Sequence, residues 1–228
     1  MAVAGPREDG NLMTAFSDHD QERIQQAVRE AERHTRGEIV PMVVERSARY
    51  QEARYRAGIL FALLALTILL TMEWQWMPWD WQVTNAGWLL LSVLAAYGIG
   101  YWLGAFAPVI RLLTSDQRMA YKVGLRAKQA FLEHDLHRTE LGTGVLILVS
   151  LLEHRIEILT DRPILDRVPQ HSWEAMVQLI RHGFHTGKPV ESLCQAIQIC
   201  GQILAEFFPA EPAGPNPNEL PNKLIPES

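Results

Sequence analysis

Two pairs of imidazoles and a group of strand-end acids are this chain's candidates for holding a metal ion. In HDLH, His134 and His137 stand at i and i+3, which on a helix is one face within reach of a shared metal ion, and His182 and His185 repeat the spacing. A zinc site needs three or four ligands, however, and spacing ties no cysteine or acid to either pair. Both pairs read as solvated histidines near helix C-termini, where the helix dipole favours them. In TDRPILDR, Asp161 and Asp166 follow a strand, the place where carboxylates face ligand crevices in α/β folds, and hard oxygens there suit calcium or magnesium. The plainer reading makes Asp161 with Arg162, and Asp166 with Arg167, turn contacts and local ion pairs. HRTELGTGV, residues 137–145, is a turn with two glycines that matches neither a Walker loop nor a dinucleotide fingerprint, and no nucleophile elbow, HExxH or GKS/T occurs.

The elements that must position these residues follow from periodicity. Ser17 caps a helix with acids in its first turn, and Ile24, Ala27, Val28 and Ala31 recur on one face until Gly37 stops it. EIVPMVVE, residues 38–45, reads as a strand in which Pro41 costs a ladder bond, so an edge or a bulge is expected there. Thr114 or Ser115 can cap a helix running to about Asp135, with Met119, Val123, Ala127 and Phe131 on its stripe. GVLILVS, residues 144–150, is a continuous apolar run suited to a strand covered on both faces, and RIEILT alternates, so the two make a hairpin. SWEAMVQLIRHGF and the stretch from Ser192 to Phe208 are amphipathic helices. The proline-rich residues 209–228 lack a hydrophobic face and are expected to be disordered, and the patternless N-terminus, residues 1–16, is expected to be flexible. The expected fold is α/β, a small mixed sheet with helices on both faces, assembled from residues 17–56 and 114–208.

Between those halves the chain turns apolar. AGILFALLALTILLT, from Ala57 to Thr71, carries no charge, and neither does the run from Asn85 to Ile110. Roughly 20 helical residues cover a hydrocarbon core of about 30 Å, so two transmembrane helices forming a hairpin over residues 57–110 are expected. The linker holds Trp74, Trp76, Trp79 and Trp81, an aromatic belt at the headgroup boundary, with Glu73 and Asp80 as its charges. Arg54 and Arg56 precede the first run and Arg111 follows the second, so the positive-inside rule puts both termini in the cytoplasm. The expected address is the inner (plasma) membrane, with the lipid bilayer as one partner. Gly100 and Gly104 form a GxxxG, a hint of close helix packing.

A net charge of −5 and a pI near 5.9 argue against a nucleic-acid partner, which would need clustered lysine or arginine on one face. Cys194 and Cys200 lie six positions apart in one expected helix, roughly 9 Å by helix rise and too far for a disulfide, so they are expected to be reduced core thiols.

TRGEIVPMVVE after a leading helix, then FLEHDLHRTELGTGVLILVSLLEHRIEILTDRPI and the tryptophan of HSWEAMV, together resemble the TPM domain family, also called TPM phosphatase. The resemblance covers most of the chain outside the apolar runs and implies a doubly wound α/β sandwich. Some members are described as acid phosphatases or as binding divalent cations, others as auxiliary membrane proteins. It thus implies Ca2+ or Mg2+ as a cofactor, held by Asp161, Asp166 and Glu140, and a weak cation-dependent phosphatase activity. The sequence departs from the family pattern where it matters for that activity. Gly142, Thr143 and Gly144 stand where typical members have Asp-Asn-Gly, and the compact TDRPILDRVP replaces a glycine-rich loop ending in an acid. The favoured expectation is therefore a non-enzymatic interaction or auxiliary module of a membrane complex, requiring no cofactor and docking an unidentified protein partner.

Overall fold

The computed structural model describes residues 16–76, 83–139, 142–210 and 225–227. The chain divides into two compact units, Met1–Ser47 with Ala120–Ser228, and Ala48–Met119.

The first unit is built on a sheet. Helix α1 (Asp18–Glu32) begins with a capping box: the Asp20 amide donates to Ser17 Oγ at 3.2 Å, and the Ser17 amide donates to Asp20 Oδ2 at 3.1 Å. Strand β1 (Glu38–Val44) pairs in parallel with β2 (Gly144–Ser150) from Glu38↔Gly144 to Val44↔Ser150, and β3 (Arg155–Thr160) returns antiparallel to β2. A three-residue β4 (Ile225–Glu227) adds parallel to β1 on its other side, giving the order β3-β2-β1-β4. Alternate residues of the two central strands go to opposite faces, as pleating requires. Ile39, Val43, Val145, Ile147 and Val149 meet α1, α7 (His171–His185) and α8 (Pro189–Phe207) in one core, while Val40, Met42, Leu146 and Leu148 meet Val123, Ala127 and Phe131 of α5 (Asp116–Glu133) in another. A small mixed sheet with helices on both faces results.

Two details differ from expectation. Pro41 lies in a continuous ladder, Pro41↔Ile147, without a bulge, but among the described residues the β4 ladder starts only at Met42, which leaves the proline beside the end of that pairing. The C-terminal stretch expected to lack structure supplies β4, and Pro209 bridges to Thr35. Both contacts run through backbone groups that composition does not report.

The second unit holds α2 (Gln51–Trp76), α3 (Val83–Leu103) and α4 (Ala107–Leu113). Helices α2 and α3 meet at small residues. A Cβ on Gly100 would lie 2.7 Å from Phe61 Cβ and from the Ala57 carbonyl oxygen, and one on Gly104 would lie 2.6 Å from Arg54 Cα. Arg54 stacks over the Tyr101 ring at 5.7 Å, and Arg56 donates to the Leu113 carbonyl at 2.8 Å. The apolar run to Ile110 is not one helix: α4 turns away from α3 by 101°. Pro108, in the first turn of α4, accounts for the break, since its ring has no N–H to donate and would clash with the preceding helical turn. Among the described residues one helix, Gln51–Thr71, is therefore long and apolar enough to cross a membrane, or two spans if the bent pair counts as one. Trp74 and Trp76 belong to the end of α2, whereas Trp79 and Trp81 lie outside the described residues.

Candidate functional site

The start of β2 carries the residues singled out for metal chemistry. Thr139 organises the turn before it: the Gly142 amide donates to the Thr139 carbonyl at 2.9 Å, and the Thr143 amide to Thr139 Oγ1 at 2.9 Å. Thr143 Oγ1 in turn donates to the Arg36 carbonyl at 2.8 Å. Gly142 adopts a left-handed φ of 63°, and a Cβ there would stand 3.1 Å from Asp161 Oδ2. Asp161 itself is the N-cap of α6 (Arg162–Arg167), its Oδ1 accepting from the Arg162 amide at 2.7 Å. Asp166 is exposed on α6, and Glu140 lies outside the described residues. Among the described residues no three His, Cys, Asp or Glu side chains come together as metal ligands. The described part of this end is a helix cap, Asp161, with a neighbouring surface acid, Asp166.

The histidine pairs are placed differently from their spacing. Helix α5 ends at Glu133 and Asp135 takes a left-handed φ of 54°, so His134 and His137 do not share a helical face. His182 and His185 do lie on α7, but His185 meets His154, a residue with no spacing signal, with ring centroids 6.5 Å apart in an edge-to-face arrangement.

That contact marks the opposite end of β2, where a cavity of about 180 Å³ opens between the β2–β3 turn and α7. Its apolar floor includes Val149, Ile156 and Phe184. Its ionisable lining residues are all basic: His154, Arg155, Arg181 and His185. The turn that presents His154 is tied down, the Leu151 amide donating to the Val44 carbonyl at 3.0 Å and the Leu152 amide to the Glu45 carbonyl at 2.8 Å. His154 takes a left-handed φ of 51°, an uncommon conformation for a residue with a Cβ. Behind the turn, the buried Glu153 accepts from the Ser47 amide at 3.0 Å and from the Ser150 hydroxyl, and Ser47 Oγ donates to Ser150 Oγ at 2.9 Å. Ser150 and Glu153 are 1% and 6% exposed, so this serine–carboxylate pair closes the turn and is not a reachable nucleophile and base.

Sheet, layers and sites define a mixed α/β module, mostly helical, in a chain with at least one candidate membrane span. No family model matches this chain, and no curated protein does. Among solved structures, the NMR structure of the BA42 protein from the psychrophilic bacterium Bizionia argentinensis is similar, with a TM-score of 0.55 and 19% identity over 92% of this chain and 94% of that one. At that identity the likeness concerns the fold alone.

Proposed function

We propose that this is an integral membrane protein, crossing the inner membrane twice, whose TPM-like α/β module sits on the cytoplasmic side and serves a membrane complex as a non-enzymatic docking or auxiliary part. The observation that carries the reading is the outer surface of α2 and α3. While their small residues pack together, Leu60, Leu63, Leu64, Trp88, Leu90 and Leu94 are each more than half exposed. Full burial of one such side chain is worth about 1.5–3 kcal/mol, so leaving this surface in water forgoes roughly as much free energy as a whole domain has in net stability. A bilayer removes that penalty.

The arginines near the ends of the helices support the orientation. Helix α4, turned 101° from α3, then lies along the inner interface, with Leu112 84% exposed on it. Support for the family reading is the order of motifs from TRGEIVPMVVE to RIEILT, and support for a non-enzymatic role is Asp161 engaged as a helix cap.

The test is alkaline carbonate extraction followed by affinity capture from detergent extracts after crosslinking in the membrane. The reading expects the chain in the pellet and one membrane protein captured in stoichiometric amount. A chain released to the supernatant would refute the anchor; capture of chaperones alone would refute the docking role.

A further inference from the structure

The geometry points to the cavity between the β2–β3 turn and α7 as a binding site for a small organic anion, one phosphate or carboxylate head on a compact apolar body. Three observations converge on it. The chain as a whole is acidic, with a net charge of −5, yet every ionisable residue lining this cavity is basic: Arg181, His154 and His185, with Arg155 at its edge, where strand pleating sets the Arg155 side chain on the opposite sheet face with Glu157. That local reversal of sign is what an anion site requires. Guanidiniums present planar forks of N–H donors that match both oxygens of a carboxylate or phosphate, and charge-assisted bonds of this type are the strong ones. The Arg181 guanidinium also disfavours a divalent metal between His154 and His185, which leaves the imidazoles as further donors to an anion.

The second observation is the floor. Ile156 and Phe184 line the same space as the cations, so the site offers apolar contact to the body of the ligand and charge to its head, the composition usual for small-molecule sites. At about 180 Å³ it admits a small molecule and not a polymer.

The third is preorganisation. Arg181 and His185 stand at i and i+4 on one face of α7, and His154 sits on a turn fixed to the end of β1 by two backbone hydrogen bonds. Of the acids nearest in sequence, Glu153 has its carboxylate engaged by Ser47 and Ser150 and Glu157 interacts with Arg155, and neither lines the cavity. This site is separate from the acids at the start of β2 and does not depend on the membrane reading.

The test uses the full chain in nanodiscs of zwitterionic lipid, titrated with phenyl phosphate, benzoate and uncharged benzyl alcohol and followed by calorimetry and amide shifts. The expected result is saturable millimolar or tighter binding of the two anions, no saturation by benzyl alcohol, and a loss of at least about tenfold in affinity in Arg181→Gln/His185→Gln. Arg181→Gln alone alters one exposed α7 side chain, and His154→Asn puts at the left-handed position a residue that tolerates it, so both keep the test open if the double variant fails to fold. Discs containing phosphatidic acid distinguish the source: competition with phenyl phosphate assigns the site to a lipid headgroup, its absence assigns it to a soluble ligand, and either supports the anion chemistry. Failure of every anion to saturate at millimolar concentration, or binding unchanged in the folded variants, overturns the proposal.

Discussion

Gly100 of α3 and Phe61 of α2 approach so closely that a Cβ on the glycine would stand 2.7 Å from that of the phenylalanine. Gly98, on the same helix, has nothing within 4 Å of the corresponding position. Gly100→Leu should therefore force the helices apart while Gly98→Leu should not. Thermal unfolding in detergent checks this, with a drop in Tm of several degrees for the first variant and little change for the second.

A pair of alanine substitutions in the α/β unit should move stability in opposite directions. At Gly201 of α8 a Cβ would meet Ala31 Cβ at 2.6 Å and its Cα at 2.9 Å, backbone that cannot easily give, so Gly201→Ala should cost about 1–3 kcal/mol. At Gly124 of α5 the new Cβ meets only Glu157 Oε1 at 3.9 Å, so Gly124→Ala should stabilise by about 0.5–1 kcal/mol through helix propensity. Urea denaturation of the two variants reads both signs.

Half-burial pushes the Glu157 carboxyl above its usual value of 4.5, against the opposing pull of Arg155 and Lys128. Between the unfolded value and this raised one the folded chain holds more proton than the unfolded chain, so stability falls as pH rises through that window. Glu157→Gln removes the dependence. Its stability relative to the parent should rise as pH climbs above 4.5 and be level below it, a modest effect for a group half in water, measurable by denaturation across pH.

Both cysteines are free thiols, as their separation on one helix requires. Burial raises the pKa of each, Cys200 far more than the half-buried Cys194, so neither is expected to be a nucleophile near neutrality. Iodoacetamide should label neither in the native protein at pH 7.5, reach Cys194 first as pH is raised, and label both promptly after unfolding; mass spectrometry of the labelled peptides checks the order.

Much of the α/β layer was legible because its signals are local. The capping box at Ser17, the branched apolar run GVLILVS and the alternation of RIEILT each specify an element without tertiary help. What escaped the sequence depends on distant or non-periodic facts. Strand β4 is three residues joined to β1 through backbone alone. The α3–α4 break was present as Pro108 but hidden in an uninterrupted hydropathy run. The pairing of His154 with His185 joins a turn to a helix far along the chain, so no spacing rule reaches it, whereas the i and i+3 spacing of His134 and His137 makes no shared face because α5 ends at Glu133 and Asp135 turns left-handed between them.

The membrane topology is the central claim, and cysteine accessibility in sealed vesicles of known sidedness tests it most directly. In a background lacking Cys194 and Cys200, cysteines replacing the exposed Gln178 of α7 and Gln82 of the tryptophan-rich linker are labelled with an impermeant maleimide. The account predicts labelling of position 178 only from the cytoplasmic side and of position 82 only from the opposite side. Labelling of both from one side would contradict it.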